Sequence, residues 1–190
     1  MYFLIDYTSQ QTEAIYSNYL FNAPKSKNLF TKKVFPAKFK FTSNLSLKYT
    51  FLKAGTKAPD FELTSINNKM IKLSELKGKP VFLYVTEIGC PPCMIALPDV
   101  NEFSKNYKDV VVLGIYPLDS KKALIDLAKE RELVFDIFPK AKEIGKSYGV
   151  QGYPTFFIID KAGMIFYSKV GYSKEFNETL KKEIEKVLIR

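Results

Sequence analysis

The chain has only two cysteines in 190 residues, and they stand two residues apart in Cys90-Pro91-Pro92-Cys93. An apolar run, Pro80-Val81-Phe82-Leu83-Tyr84-Val85, precedes them and reads as a buried strand. A helix-period segment from about Met94 to Tyr107 follows. A strand that ends in C-x-x-C at the mouth of a helix is the arrangement used for reversible dithiol–disulfide chemistry. Unsatisfied N–H groups and the positive end of the helix dipole favour a thiolate on the first sulfur. The spacing therefore predicts Cys90 as the attacking thiol and Cys93 as the resolving thiol of a mixed disulfide.

Other uses of a cysteine pair fare worse. A structural zinc site needs about four Cys or His ligands, and the chain has no histidine and no third cysteine. Covalent haem attachment needs histidine directly after the second cysteine, where Met94 stands. A purely structural disulfide across so short a loop would stabilise little. Redox chemistry without metal or organic cofactor is the expectation.

The net charge of +9 divides unevenly. Residues 1–54 hold eight lysines against Asp6 and Glu13, giving +6, whereas residues 55–190 hold 21 basic and 18 acidic side chains, giving +3. The part that carries the cysteines is nearly balanced, which argues against nucleic-acid binding there. No apolar stretch reaches the ~18 residues of a membrane-crossing helix. Met1–Ile5 is apolar but broken by Asp6 and lacks a basic flank, so it does not read as a signal peptide.

Two regions are expected: a β-rich N-terminal extension or remnant domain over 1–54, and an α/β domain over 55–190. The first contains twelve of the 28 Phe and Tyr residues, too many for a disordered tail. Phe35 to Phe41 and Leu45 to Phe51 alternate apolar with polar as half-buried strands do, around a turn at Ser43-Asn44. Gln10 to Phe21 reads as a short helix. Beyond the boundary at Ala54 to Pro59, a hairpin pairs Phe61–Leu63 with Met70–Leu73. Strand 80–85, the helix after Cys93, a strand at Val110–Ile115 and a helix at Lys121–Glu132 come next. An extended piece at Val134–Asp136 and a helix at Ala141–Tyr148 follow. Strands Thr155–Ile159 and Met164–Val170, and a final amphipathic helix with Phe176, Leu180, Ile184 and Leu188 on one face, end the chain. Alternating elements of this kind imply a mixed sheet with helices on both faces.

These motifs together resemble the thioredoxin superfamily, and within it the TlpA-like (ResA-like) thiol–disulfide oxidoreductases, over about Gly55 to Leu188. Gly55 to Phe61 matches the Gly-x-x-Ala-Pro-Asp-Phe opening, and Leu73 to Pro80 a second shared run. Pro98 matches the proline that kinks the family's active-site helix, and Gly149 to Thr155 the segment bearing its cis-proline. The resemblance implies a thioredoxin-like fold with a central mixed β-sheet flanked by helices. It also implies a cis bond at Tyr153-Pro154 that exposes the Tyr153 backbone for substrate docking; an ordinary strand-initial proline is the alternative. Disulfide-bearing protein substrates and an upstream electron donor are the implied partners. The implied setting is periplasm or cell envelope, against a cytoplasmic one if the N-terminus is complete.

The chain departs from the family at several points. Gly89 replaces the usual tryptophan before the first cysteine, Tyr84 the buried aspartate of thioredoxins, and Ala96 a glutamate of several TlpA-like reductases. Glu87 is the one nearby carboxylate, either an acid/base group or a solvent-facing loop residue. A peroxiredoxin-like thiol peroxidase is disfavoured, because in the resembling family Thr or Ser stands where Glu87 does, and the only arginines are Arg131 and Arg190. A redox-inactive thioredoxin-like interaction module is disfavoured by the presence of Cys90, Cys93 and Pro154 together. Pro91 and Pro92 lack N–H groups, leaving the Cys93 N–H as the main donor to a Cys90 thiolate. A less stabilised thiolate predicts a reducing couple, nearer the thioredoxin end at about −270 mV than the oxidant end.

Overall fold

The computed structural model describes residues 2–5, 12–15, 50–173 and 175–189. The chain divides into two compact units, Met1–Leu45 and Ser46–Arg190. In the first, β1 (Tyr2–Ile5) pairs antiparallel with β2 (Thr12–Ile15), in register Tyr2 to Ile15 and Ile5 to Thr12. This corrects the expected helix over Gln10–Phe21: ladder pairing with the β-branched Thr12 and Ile15 overrides helical spacing. The expected strand at 35–41, the turn at Ser43-Asn44 and all but the last two residues of the expected strand at 45–51 lie outside the described residues; Thr50 and Phe51 are not part of a strand.

The second unit is built on β5 (Val81–Val85), in which every side chain is buried. Such a run is uniformly apolar because both faces of the strand are covered. On one side β5 pairs in parallel with β6 (Val111–Tyr116), and β6 with β7 (Asp136–Pro139). On its other side it pairs antiparallel with β8 (Thr155–Ile159), followed by β9 (Ile165–Val170). The sheet order is β7-β6-β5-β8-β9, with a separate two-stranded hairpin of β3 (Glu62–Thr64) and β4 (Met70–Lys72).

Alternation along the strands sorts the core into two layers. Phe82, Tyr84, Val112, Tyr116, Phe156 and Ile158 face α1 (Pro91–Asn106), α2 (Lys121–Glu130) and α4 (Phe176–Leu188). Val81, Leu83, Val85, Leu113, Phe157 and Ile159 face the hairpin and α3 (Lys142–Ser147). Phe156 anchors the first layer, its ring centroid 5.4 Å from Tyr84, 6.0 Å from Phe82 and 4.1 Å from Phe176. This is the thioredoxin-like α/β fold that the motifs implied. No helix among the described residues is long and apolar enough to cross a membrane.

Two boundaries shift from expectation for identifiable reasons. Helix α1 begins at Pro91 instead of Met94, since proline's missing N–H and fixed φ suit the first helical turn. Strand β7 begins at Asp136, two residues later than its expected start at Val134. The buried Asn101 side chain of α1 accepts from Val134 N–H at 2.9 Å and donates to the Glu132 carbonyl at 3.1 Å. Val134 thus spends its donor on the helix, and the ladder starts at the next free register.

Residues 50–54 pack into this unit. Leu52 N–H donates to the Tyr148 carbonyl at 3.2 Å, and the Phe51 ring lies 5.5 Å from that of Phe157. Gly149 makes this possible: its φ is +64°, and a Cβ there would lie 2.0 Å from the Thr50 carbonyl oxygen. Gly149→Ala therefore combines left-handed strain of about 1–3 kcal/mol with a backbone collision. The full chain carrying it should lose at least that much stability and melt at a lower temperature, and an unchanged Tm would show that segment 50–54 does not depend on this approach.

Candidate active site

Where β5 ends, Thr86 N–H still donates to the Ile115 carbonyl at 2.9 Å, and Glu87, Ile88 and Gly89 then carry the chain over to α1. Cys90 is the N-cap of that helix, with extended backbone (φ −102°, ψ 107°), and Pro91 and Pro92 occupy its first turn. Their missing N–H groups are ones an α-helix leaves unpaired anyway. The Cys93 N–H points back at Cys90 Sγ, 3.3 Å away. The two cysteines form a disulfide with their Cα atoms 5.2 Å apart. Cys90 retains 7% exposure and Cys93 none. Of the two cysteines, only Cys90 keeps any exposure.

Pro98 lies inside α1, where its missing N–H leaves the Met94 carbonyl without its helical bond. The first turn is anchored instead from below. Tyr84, at the position of the missing aspartate, donates its phenol to the Cys93 carbonyl at 2.6 Å. Burial pushes the Tyr84 hydroxyl far above its ordinary pKa, so it stays a neutral donor.

Asp119, in the turn after β6, accepts the Ile88 N–H at 3.3 Å and so holds the loop that leads into Cys90. Desolvation raises its pKa, offset in part by that bond. Desolvation also raises Glu87, and the neighbouring Asp119 charge raises it further. Glu87 is thus partly buried in the loop beside a second carboxylate. The Tyr153–Pro154 bond is cis. It leads into β8, whose Thr155 lies opposite Val85 in the ladder, so it sits at the same end of the sheet as the dithiol.

Sequence reasoning missed Asp119, Thr86 and Tyr116. The signal available was alternation: Thr86 shares a face with Tyr84, and Asp119 follows the carboxyl end of the neighbouring parallel strand, where α/β sheets place their sites.

This fold and this cysteine pair define a thiol–disulfide oxidoreductase of thioredoxin-like architecture. Residues 54–168 match the AhpC/TSA family, and the chain belongs to it. It is 32% identical over 139 residues to the thiol-disulfide oxidoreductase ResA of Bacillus thuringiensis subsp. konkukian, covering 72% of this chain and 79% of that one. It is 32% identical over 147 residues to the thioredoxin-like protein YneN of Bacillus subtilis, covering 75% and 83%. Among solved structures, a thiol:disulfide interchange protein from Chlorobium tepidum, assigned as DsbE, superposes with a TM-score of 0.67. It shares 29% identity over 73% of this chain and 99% of its own.

The carboxyl pair gives a test of the site's electrostatics. Because both folded-state pKa values are raised, the folded protein holds more protons than the unfolded one just above the ordinary carboxylate range. Stability therefore falls as pH rises through that window. Asp119→Asn should flatten the fall and bring the Glu87 carboxyl titration, followed by NMR, back towards its ordinary value. A Glu87 titration indifferent to Asp119→Asn would separate the two groups.

Proposed function

We propose that this protein reduces disulfides in partner proteins, with Cys90 attacking, Cys93 resolving and the Tyr153-Pro154 backbone docking the substrate chain. The difference in exposure between the two cysteines, with Cys90 at the N-cap of α1 and Cys93 inside it, supports the assignment. The Cys90 thiolate attacks one sulfur of the substrate disulfide, and the other substrate sulfur leaves as a thiolate that takes a proton. The Cys93 thiolate then attacks Cys90 Sγ, breaking the mixed disulfide and releasing the second substrate thiol. Two electrons pass to the substrate, and an upstream dithiol donor must reduce Cys90–Cys93 again. Glu87, which keeps its proton to higher pH than an ordinary carboxyl, suits proton delivery at this mouth. Pro91 and Pro92 remove two amide donors and leave the Cys93 N–H as the one aimed at Cys90 Sγ. That favours a reducing couple. An extracytoplasmic setting, periplasm or cell envelope, is where disulfide-bearing substrates are abundant.

The peroxidase reading has less support. Arg131 pairs with the adjacent Glu130 at 3.3 Å and lines a groove with Met94, Leu97 and Pro98. Glu87 offers a carboxylate where the peroxidase pattern has a hydroxyl.

Cys93→Ser should accumulate mixed disulfides with substrate proteins through Cys90, Cys90→Ser should accumulate none, and the intact chain should reduce insulin disulfides. Equal trapping by both variants would reverse or void the assignment, and peroxide consumption without insulin reduction would replace it.

A further inference from the structure

On the face of β5 and β6 that packs against α1, aromatic and aliphatic side chains surround three hydroxyls. Tyr84, Thr86 and Tyr116 all have 0% exposure. Tyr84 meets the Cys93 carbonyl at 2.6 Å. Thr86 approaches Tyr84 closely enough to ease ionisation of its phenol, yet its own oxygen completes no hydrogen bond. The Tyr116 hydroxyl completes none either, although it lies within electrostatic reach of both Tyr84 and Asp119. Gly114, opposite Tyr84 in the ladder, leaves room for this packing, since a Cβ there would lie 2.7 Å from the Phe135 ring and 3.3 Å from that of Tyr116.

Burying a hydroxyl without a partner costs its full desolvation. Valine at 86 or phenylalanine at 116 would fill the same space without that cost. Both hydroxyls keep an uncommitted donor that rotates freely about its C–O bond. The structure holds Cys90 and Cys93 as a disulfide, a state with no charge on either sulfur. Negative charge develops at Cys93 only in the resolving step.

We propose that Tyr84, Thr86 and Tyr116 form a hydroxyl wall that stabilises the Cys93 thiolate as it resolves the mixed disulfide. Tyr84 is the positioning residue, holding Cys93 by its carbonyl, and Thr86 and Tyr116 supply donors that turn towards the sulfur once it is charged. The Cys93 S–H bond breaks, a Cys90–Cys93 bond forms, and the bond from Cys90 to the substrate breaks. The proton lost by Cys93 ends on the departing substrate sulfur, and no further oxidant or reductant enters. Hydrogen bonds to the charged form lower the thiol's pKa. Among the described residues, the ionisable groups at this corner include Cys90 at the N-cap of α1, Cys93 in its first turn, Tyr84 on β5, Tyr116 on β6, Asp119 after β6 and, through Asp119, Glu87.

This inference rests on the exchange reaction proposed above, and a single-turnover experiment separates the two. The reduced full chain is mixed with 5,5′-dithiobis(2-nitrobenzoate), which releases one coloured thiolate when Cys90 attacks and a second when Cys93 resolves. In Tyr84→Phe, Thr86→Val and Tyr116→Phe the first release should stay within about twofold of wild type. The second should slow in all three, and by about tenfold in Thr86→Val and Tyr116→Phe, the loss expected for one hydrogen bond to a charged group, with its pH profile displaced upwards. Thr86→Val and Tyr116→Phe should melt no lower than wild type, and Thr86→Ser should restore the second release. A second release and pH profile unchanged in Thr86→Val and Tyr116→Phe would overturn the proposal. So would equal slowing of both releases with loss of stability, the mark of a purely structural role. Failure of wild-type Cys90 to give the first release would instead overturn the exchange reaction itself.

Discussion

The burial of β5 on both faces is the constraint from which the site follows. Its backbone is hydrogen-bonded to β6 on one side and β8 on the other, and its five side chains are out of contact with water. Sliding the strand by one residue would exchange its two faces and send Phe82 and Tyr84 into the layer that holds Val81, Leu83 and Val85. The register is therefore fixed, and with it the point where the chain leaves the sheet. Cys90 starts its helix there, above a strand end that cannot drift. The antiparallel partner β8 brings Tyr153-Pro154 to the same end by the same pairing.

Around the dithiol, polar groups follow two different logics. The outer ones are shared with solvent: Asp119 holds the loop through Ile88 N–H, and Glu87 sits beside it with a raised pKa. Their mutual repulsion is partly screened, so they adjust the local field without threatening the fold. The inner ones lie in a dry layer, where each uncompensated hydroxyl is costly and each completed bond is strong. Tyr84 completes its bond on the Cys93 carbonyl, and that bond joins the centre of the sheet to the reactive turn. A second tie reaches α1 from its far side, where Tyr172 donates to Asp99. That bond, with burial and the Asp99 charge, pushes the Tyr172 pKa up to about 12. The active-site helix is thus fastened at Cys93, Asp99 and Asn101, to three different parts of the chain.

Much of this was written in the linear order of residues. Two cysteines at C-x-x-C spacing after an apolar run, a proline five residues on, and Gly-Tyr-Pro-Thr some sixty residues later were enough for the fold and for a bonded Cys90–Cys93 pair. Local chemistry determined them: the period of apolar residues, the tolerance of proline in a first helical turn, and the reactivity of paired thiols. Tertiary structure decided what depends on distant partners. The start of β7 was set by Asn101, 35 residues earlier, and the strand at Thr12–Ile15 by pairing with Tyr2–Ile5. The carboxyl neighbour of Glu87 proved to be Asp119, and the pairing of β5 with β6 brought the buried Tyr84, Thr86 and Tyr116 onto one face of the sheet. A hydroxyl's worth depends on whether water or a partner reaches it, and that is fixed only when strands from separate parts of the chain close over it.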